Sequence, residues 1–273
     1  MKRSVSYTIV CVCLLISCAH KSGHKINSLM SSEIQENRSD GVQSEDLSDD
    51  YCLAVKFDHS NQQKLNRAAY SLSYNPEYLI PNWVAWRLTA EHTNGDCPRD
   101  NTYYEDEDVS YPKATNEDYK GSGWSKGHMC PAGDNKWDSE AMRESNLLTN
   151  VCPQHASLNS GVWNVIERDC RKWAKRYGEL YIVCGPVLLN KEHETIGINK
   201  IVVPEAFFKV ILRLKPEPTA IGFVIRNNEG KKKKDQYINT VDDVERITGI
   251  DFFPFLEDSI ENMVEASVNP SKW

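Results

Sequence analysis

The sequence contains no Cys-x-x-Cys pair, no internal repeat and no second long apolar run after the one near its start. Paired thiolates at that spacing are the usual frame of a structural zinc site, so a zinc module is not what organises this chain. The lack of a repeat removes solenoid architectures. The lack of a second run removes a multi-span membrane protein. A basic excess is missing too. The formal net charge is −7, which argues against a protein that coats nucleic acid indiscriminately, because phosphate affinity comes with a basic balance. A local basic cleft remains compatible with that figure, since Glu33, Glu36, Asp40, Glu45, Asp46, Asp49 and Asp50 place part of the acidity far from the main body of the sequence.

What is present begins with MKRSVSYTIVCVCLLISCAHKS, a basic start followed by an apolar run too short to span a bilayer comfortably. It reads as an export signal over residues 1–17. The run ends in Leu15-Ile16-Ser17-Cys18, which resembles a bacterial lipoprotein signal and implies lipid on Cys18. Residues 18–50 are rich in Ser, Asp, Glu, Asn and Gln and cannot bury enough surface to offset their ordering entropy, so they read as a flexible tether. Residues 51–273 then form one α+β domain. The expected location is outside the cytoplasm, lipid-anchored to a bacterial membrane and facing periplasm or cell surface.

Of nine cysteines, Cys11 and Cys13 leave with the signal and Cys18 carries lipid. Cys52, Cys97, Cys130, Cys152, Cys170 and Cys184 remain. In an exported chain an even set suggests disulfides, although six thiols allow fifteen connectivities. Cys130 with Cys152 and Cys170 with Cys184 are candidate pairs.

Alternation predicts strands at Tyr70–Tyr74 and Asn82–Thr89, the latter with Trp83, Ala85 and Arg87 on one face and Val84, Trp86 and Leu88 on the other. A long polar stretch follows, of a kind that is often functional. Next come a short strand over Trp124–Met129 and a second over Asn146–Val151, closed by Pro153. A helix runs from Asn159, because Val162, Trp163, Ile166, Cys170, Trp173 and Tyr177 recur at three- and four-residue steps, and Gly178 stops it. More strands are expected at "LYIVCGPVLL", "AFFKVILRL" and "AIGFVIRN", and a short helix capped by Thr240. Lys231–Lys234 read as a solvated hairpin tip.

His128 closes the first motif strand with Lys126 on the same face. Asn159 opens the helix, and Glu167 follows at roughly 80° around a regular α-helix. Histidine suits general-base work near neutrality. An amide oxygen suits a hard ion that keeps its waters and also binds phosphate. Taken singly these residues are ordinary: His128 a packed histidine, Asn159 an N-cap, Glu167 a solvated helix residue. Together they supply what phosphodiester hydrolysis needs, with Lys126 and Arg99 as available cations.

The segments "SKGHMCPAGDNKW", "ESNLLTNVCPQ" and "LNSGVWNVIE" resemble the DNA/RNA non-specific endonucleases of the ββα-metal (His-Me finger) type. The resemblance implies a central antiparallel sheet flanked by helices. It implies His128 as general base, Asn159 as the direct ligand of Mg²⁺ (or Mn²⁺), and Glu167 holding the ion through water. It further implies that Asn150 orients the site or substrate, that Asn146 contacts substrate in a lesser role, and that Arg99 stabilises the transition state. DNA and RNA are the implied substrates, with 5′-phosphate products. Where the family commonly has Asp-Arg-Gly-His, this chain has Ser125-Lys126-Gly127-His128. Lysine keeps the charge without arginine's bidentate fork, which lowers the expected turnover, but the base and the ligand remain, so activity is expected to survive. The alternative class is a non-catalytic surface lipoprotein that binds nucleic acid or another partner.

Overall fold

The computed structural model describes residues 62–228 and 230–273, together with the backbone of Val55–Lys56. The signal, Cys18, the tether and Cys52 lie outside the described residues. Seven strands form one antiparallel sheet. From edge to edge they are Ile238–Asn239, Thr219–Arg226, Ala206–Arg213, Glu179–Val187, Ile80–Thr89, Ser71–Asn75 and Gln63–Asn66. The three long central strands are buried on both faces, which explains their near-continuous apolar runs of β-branched and aromatic residues.

Period-two alternation sorts their side chains into two cores. Val84, Trp86, Leu88, Leu180, Ile182, Cys184, Phe207 and Ile211 face one layer. Trp83, Ala85, Tyr181, Val183, Phe208, Val210 and Leu212 face the other. The second layer is closed by helices Val241–Thr248 and Asp258–Glu265, which contribute Val241, Val244 and Val264. Thr240 caps the first of these by accepting from the backbone N–H of Asp243 at 3.1 Å.

The first layer carries the motif residues. Strand Ser125–His128 pairs antiparallel with Val151–Gln154, and helix Asn164–Tyr177 packs beside them, burying Ile166, Cys170, Trp173 and Ala174. Gly178 ends that helix at φ 95°, and its N–H bonds Ala174. Few residues other than glycine accept that φ without strain.

Four expectations change. The second motif strand is Val151–Gln154, not Asn146–Val151. Asn146 instead follows helix Ser139–Ser145 as its C-cap, and Leu148–Asn150 form a 3₁₀ turn. Local side-chain bonding overrides the alternation there: Asn150 accepts from the N–H of Cys130 at 2.9 Å and donates to the carbonyls of Cys130 at 2.8 Å and Ser145 at 2.7 Å. Pro153 sits inside the strand rather than closing it, which a two-stranded ribbon tolerates because one side of each strand is an edge.

Asn159 does not cap a regular helix. A π turn spans Asn159–Trp163, and Gly161 leaves helical geometry at φ −94°, ψ −119°. The 80° separation of Asn159 and Glu167 assumed an uninterrupted α-helix and does not apply across this break. Finally, Cys130, Cys152, Cys170 and Cys184 are all buried free thiols, and Cys97 is also free. Neither candidate pairing forms; these sulfurs pack as small apolar groups in the first core.

The long polar stretch is less superficial than its composition suggests. Asp106, Lys113 and Asp118 are buried. Arg67 donates to Asp106 at 2.6 Å, and Thr149 donates to the same carboxylate at 2.6 Å. These bonds tie the stretch to the sheet edge and to the turn after Asn146.

Candidate active site

His128 lies at the end of its strand with 8% of its surface exposed. Its Nε2 is 2.7 Å from Asn146 Oδ1. The orientation of Asn146 follows from its other bond, because its Nδ2 donates at 3.0 Å to the carbonyl of Asp100, which can only accept. The amide oxygen therefore faces the imidazole, and the neutral ring carries its hydrogen on Nε2 and its lone pair on Nδ1. Burial pushes the imidazole down to about 4; the Asn146 bond acts upward and Arg99 downward. The ring is thus an unprotonated imidazole at neutral pH. Tyr103 stacks on it, with centroids 5.2 Å apart and planes 28° apart. Trp163 Nε1 donates to the His128 carbonyl at 3.4 Å, fixing the strand end to the start of the long helix.

Lys126 extends over the rings of Tyr103 and Tyr119, its Nζ 4.9 and 5.5 Å from their centroids. Partial burial lowers its pKa. Tyr103, Lys126 and Asn159 line one cleft. Asn159 is partly buried there.

A second cleft of about 390 Å³ is lined by Arg99, Lys136, Arg171, Lys172 and Lys175. This is the local basic patch that the net charge left open. Arg171 stands four residues after Glu167 on the same helix face. Its Nη1 donates to the buried Asp134 carboxylate at 2.7 Å, and Trp86 Nε1 donates to the other oxygen at 3.2 Å. Burial raises Glu167 to about 7, and the Lys209 ammonium acts in the opposite direction. Arg99, exposed at the surface, acts electrostatically on both Glu167 and His128.

The donor set decides which ion would fit. Among the described residues, the one group of three His, Cys, Asp or Glu ligands that could share an ion includes neither His128 nor Glu167. Of the ligands that the resemblance implies, Asn159 has an amide oxygen and Glu167 a carboxylate. That set suits a hard cation that retains most of its water, not a tetrahedral zinc-type ion.

The sequence model of the DNA/RNA non-specific endonuclease family matches residues 49–259. The chain belongs to this family. The mitochondrial nuclease EXOG of Xenopus laevis is 38% identical over 206 residues, which cover 69% of this chain and 57% of that relative. The human mitochondrial nuclease EXOG is 34% identical over the same number of residues, 206, with 69% and 56% covered. The chain thus spans less than two thirds of the length of these curated relatives. A chain in the crystal structure of the EndoG/EndoGI complex superposes with a TM-score of 0.67 at 29% identity, covering 74% of this chain and 89% of that one.

Within this family member, Lys126 and Asn159 line one cleft and Arg99 the other, while His128 is buried against Asn146 and both His128 and Glu167 feel the charge of Arg99. Asn150 is fully buried and spends its amide on backbone groups of Cys130 and Ser145, so it holds the chain just after His128, an orienting role, and makes no surface contact of its own. Asn146, 1% exposed, likewise meets His128 and not solvent.

Several residues at the site were not singled out in the sequence. Tyr103 lies in the polar stretch that was flagged only as a whole. Lys136, Arg171 and Lys175 are scattered cations that only folding gathers. Lys209 interrupts an apolar strand and alternates with Phe207 and Ile211 onto the site-bearing face. It is 1% exposed, and its Nζ lies 4.9 and 4.5 Å from the ring centroids of Trp86 and Trp163. A lone lysine in an apolar strand was the available signal.

The buried imidazole has a consequence for stability. Its folded pKa of about 4 lies below the ordinary value of 6.5, so the unfolded chain binds more protons between those values. Its contribution is intact above about pH 6.5 and is lost as pH falls towards 4. Denaturation measured from pH 7 to 4 should show a fall of about 3 kcal/mol from this group, and His128→Asn should remove that part of the slope. An unchanged slope in the variant would contradict the buried neutral state.

Proposed function

We propose that this chain is a metal-dependent nuclease that hydrolyses phosphodiester bonds of DNA and RNA and leaves 5′-phosphate ends. The observation that carries the reading is the locked tautomer of His128: Asn146 accepts the Nε2 hydrogen, and the Nδ1 lone pair is left to take a proton from an attacking water. A histidine kept only for packing has no need of that arrangement.

The chain's own groups divide the work. His128 Nδ1 is the general base, and Asn146 holds the ring so that it presents that atom. Tyr103 stacks on the ring and limits its rotation. Arg99 and the cations of the basic cleft bind the phosphate backbone and stabilise charge developing on the reacting phosphate. Lys126, packed on two tyrosines, supplies a further positive charge in the cleft it shares with Asn159. Asn159 would hold Mg²⁺ (or Mn²⁺) directly and Glu167 through water. When bound, the ion supplies charge for the leaving oxygen. Lys209 beneath the helix favours the ionised form of Glu167 against its burial. The expected result is digestion of plasmid DNA and of RNA with Mg²⁺ and loss of both with EDTA. Equal inertness of the purified chain in both conditions overturns the reading.

The cell address belongs to the same proposal. An apolar run ending at Cys18 supports export and lipid anchoring to a bacterial membrane. No helix among the described residues is long and apolar enough to cross a membrane, and the anchor in this reading is the lipid on Cys18. Cys18→Ala should move the protein from the membrane fraction to the soluble fraction; unchanged fractionation refutes the anchor.

A further inference from the structure

The far layer of the sheet carries a group of charged residues with no part in the clefts described above. Asp242 and Glu245 lie on helix Val241–Thr248, and Glu265 lies at the end of helix Asp258–Glu265. The three bring one carboxylate oxygen each to within 4.8 Å of one another. Two ligands of one calcium ion stand at most about 5 Å apart, given ligand distances of roughly 2.3–2.6 Å, so this spacing fits a shared ion.

Proximity of acids alone is common on protein surfaces. Here Glu265 adds a separate observation. It is only 8% exposed, and its buried Oε1 has no hydrogen-bond partner. A buried, unsatisfied carboxylate oxygen is costly unless something positive meets it. The charges acting on it most are Glu245, Glu261, Asp242 and Asp251, from its own helix, the facing helix and the strand Asp251–Phe252. All are acidic. Arg246, a cation of the facing helix, is engaged by Asp243 instead. Glu245 has one oxygen fixed by the N–H of Phe252 at 2.8 Å, so its second oxygen remains for a ligand. Burial and the surrounding carboxylates push Glu265 up to about 8. The folded chain thus either carries a proton there or gains from a cation in its place.

We propose that Asp242, Glu245 and Glu265 form a second divalent-cation site, of the Ca²⁺ class, that clips the two far-layer helices together. Oxygen-only, irregular, carboxylate-rich ligation suits Ca²⁺, whose coordination is flexible, better than Mg²⁺, which demands near-octahedral geometry. Glu265 lies beyond the family match, which ends at residue 259. The proposal therefore draws one of its three ligands from outside the matched region, and it stands whether or not the nuclease reading does.

The test uses the full chain carrying Asn159→Ala, so that the catalytic ion does not contribute. Calorimetric titration with CaCl₂ at pH 7.5 should show one equivalent bound. The melting temperature should rise by roughly 5 °C at a hundredfold excess over Kd, and less with MgCl₂ at the same concentration. Glu265→Gln should abolish both the heat and the thermal shift. In the otherwise unchanged chain, Glu265→Gln should melt no lower than the parent in EDTA, because it removes a buried acid without changing shape, and should leave nuclease rates within about twofold. No uptake in the Asn159→Ala chain, or uptake that Glu265→Gln leaves intact, overturns the proposal and leaves a shared proton as the answer to the buried oxygen.

Discussion

Replacing His128 with alanine is expected to slow cleavage of plasmid DNA and RNA by about 10³-fold, within the range that a positioned general base contributes. The size follows from how completely the site commits to this one ring. Asn146 sets its tautomer, Tyr103 covers its face and Trp163 fixes its backbone. In the described structure, no other imidazole shares those contacts. His155, near in sequence, instead bonds Ser157 at 2.7 Å and caps a short helical turn. The measurement is a digestion time course with Mg²⁺ in excess, alongside a melting curve to establish that the variant is folded. Rates equal to the parent's, with both active, would remove His128 from the mechanism.

The second large effect is expected from Asn159→Ala. Asn159 sits partly buried in the turn that breaks the motif helix, beside Lys126 and Tyr103. Removing its amide should leave stability nearly unchanged while the Mg²⁺-dependent rate falls by about 10²–10⁴-fold, the effect of several kcal/mol of lost charge stabilisation. Asn159→Asp keeps an oxygen ligand and should recover part of the rate with an altered ion requirement. A variant that retains the parental Mg²⁺ response would show that the ion is held elsewhere. A variant that melts far below the parent would show that Asn159 is chiefly structural.

The turn around Asn159 is also where folding changed the reading of a charge run. Lys231–Lys234 look in sequence like a solvated tip, and Lys231 to Lys233 are indeed exposed. Their neighbour Gly230, however, approaches so closely that an added Cβ would meet the Ser157 carbonyl at 2.6 Å and the Leu158 Cα at 2.9 Å. Lys234 reaches the motif helix, pairing with Asp169 at 2.5 Å and lying 4.9 Å from the Trp173 ring centroid. The loop is a brace against the turn that presents Asn159.

Strands and helices with strong periodicity were legible beforehand. The alternation in "NWVAWRLT" separates Val84, Trp86 and Leu88 from Trp83 and Ala85, and the structure places those sets in different cores. The stripe from Ile166 to Tyr177 and the stop at Gly178 were equally plain. What alternation misread was "NLLTNV", because asparagine side chains there bond backbone groups and hold a cap and a 3₁₀ turn in place of a strand. It also missed the break at Gly161, which hydrophobic spacing alone cannot register.

The sequence by itself determined the α+β class, the strongly periodic strands and the long helix, since these depend on local periodicity, and its resemblance to the family grouped His128 with the asparagines as one motif. Only the tertiary structure decided the tautomer of His128, the confinement of Asn150 to a backbone role, the free state of the buried thiols and the gathering of Arg99, Lys136, Arg171 and Lys175 into one cleft. Those outcomes depend on contacts between segments far apart in the chain. Burial and hydrogen-bond partners, which set protonation and reach, exist only once those segments meet.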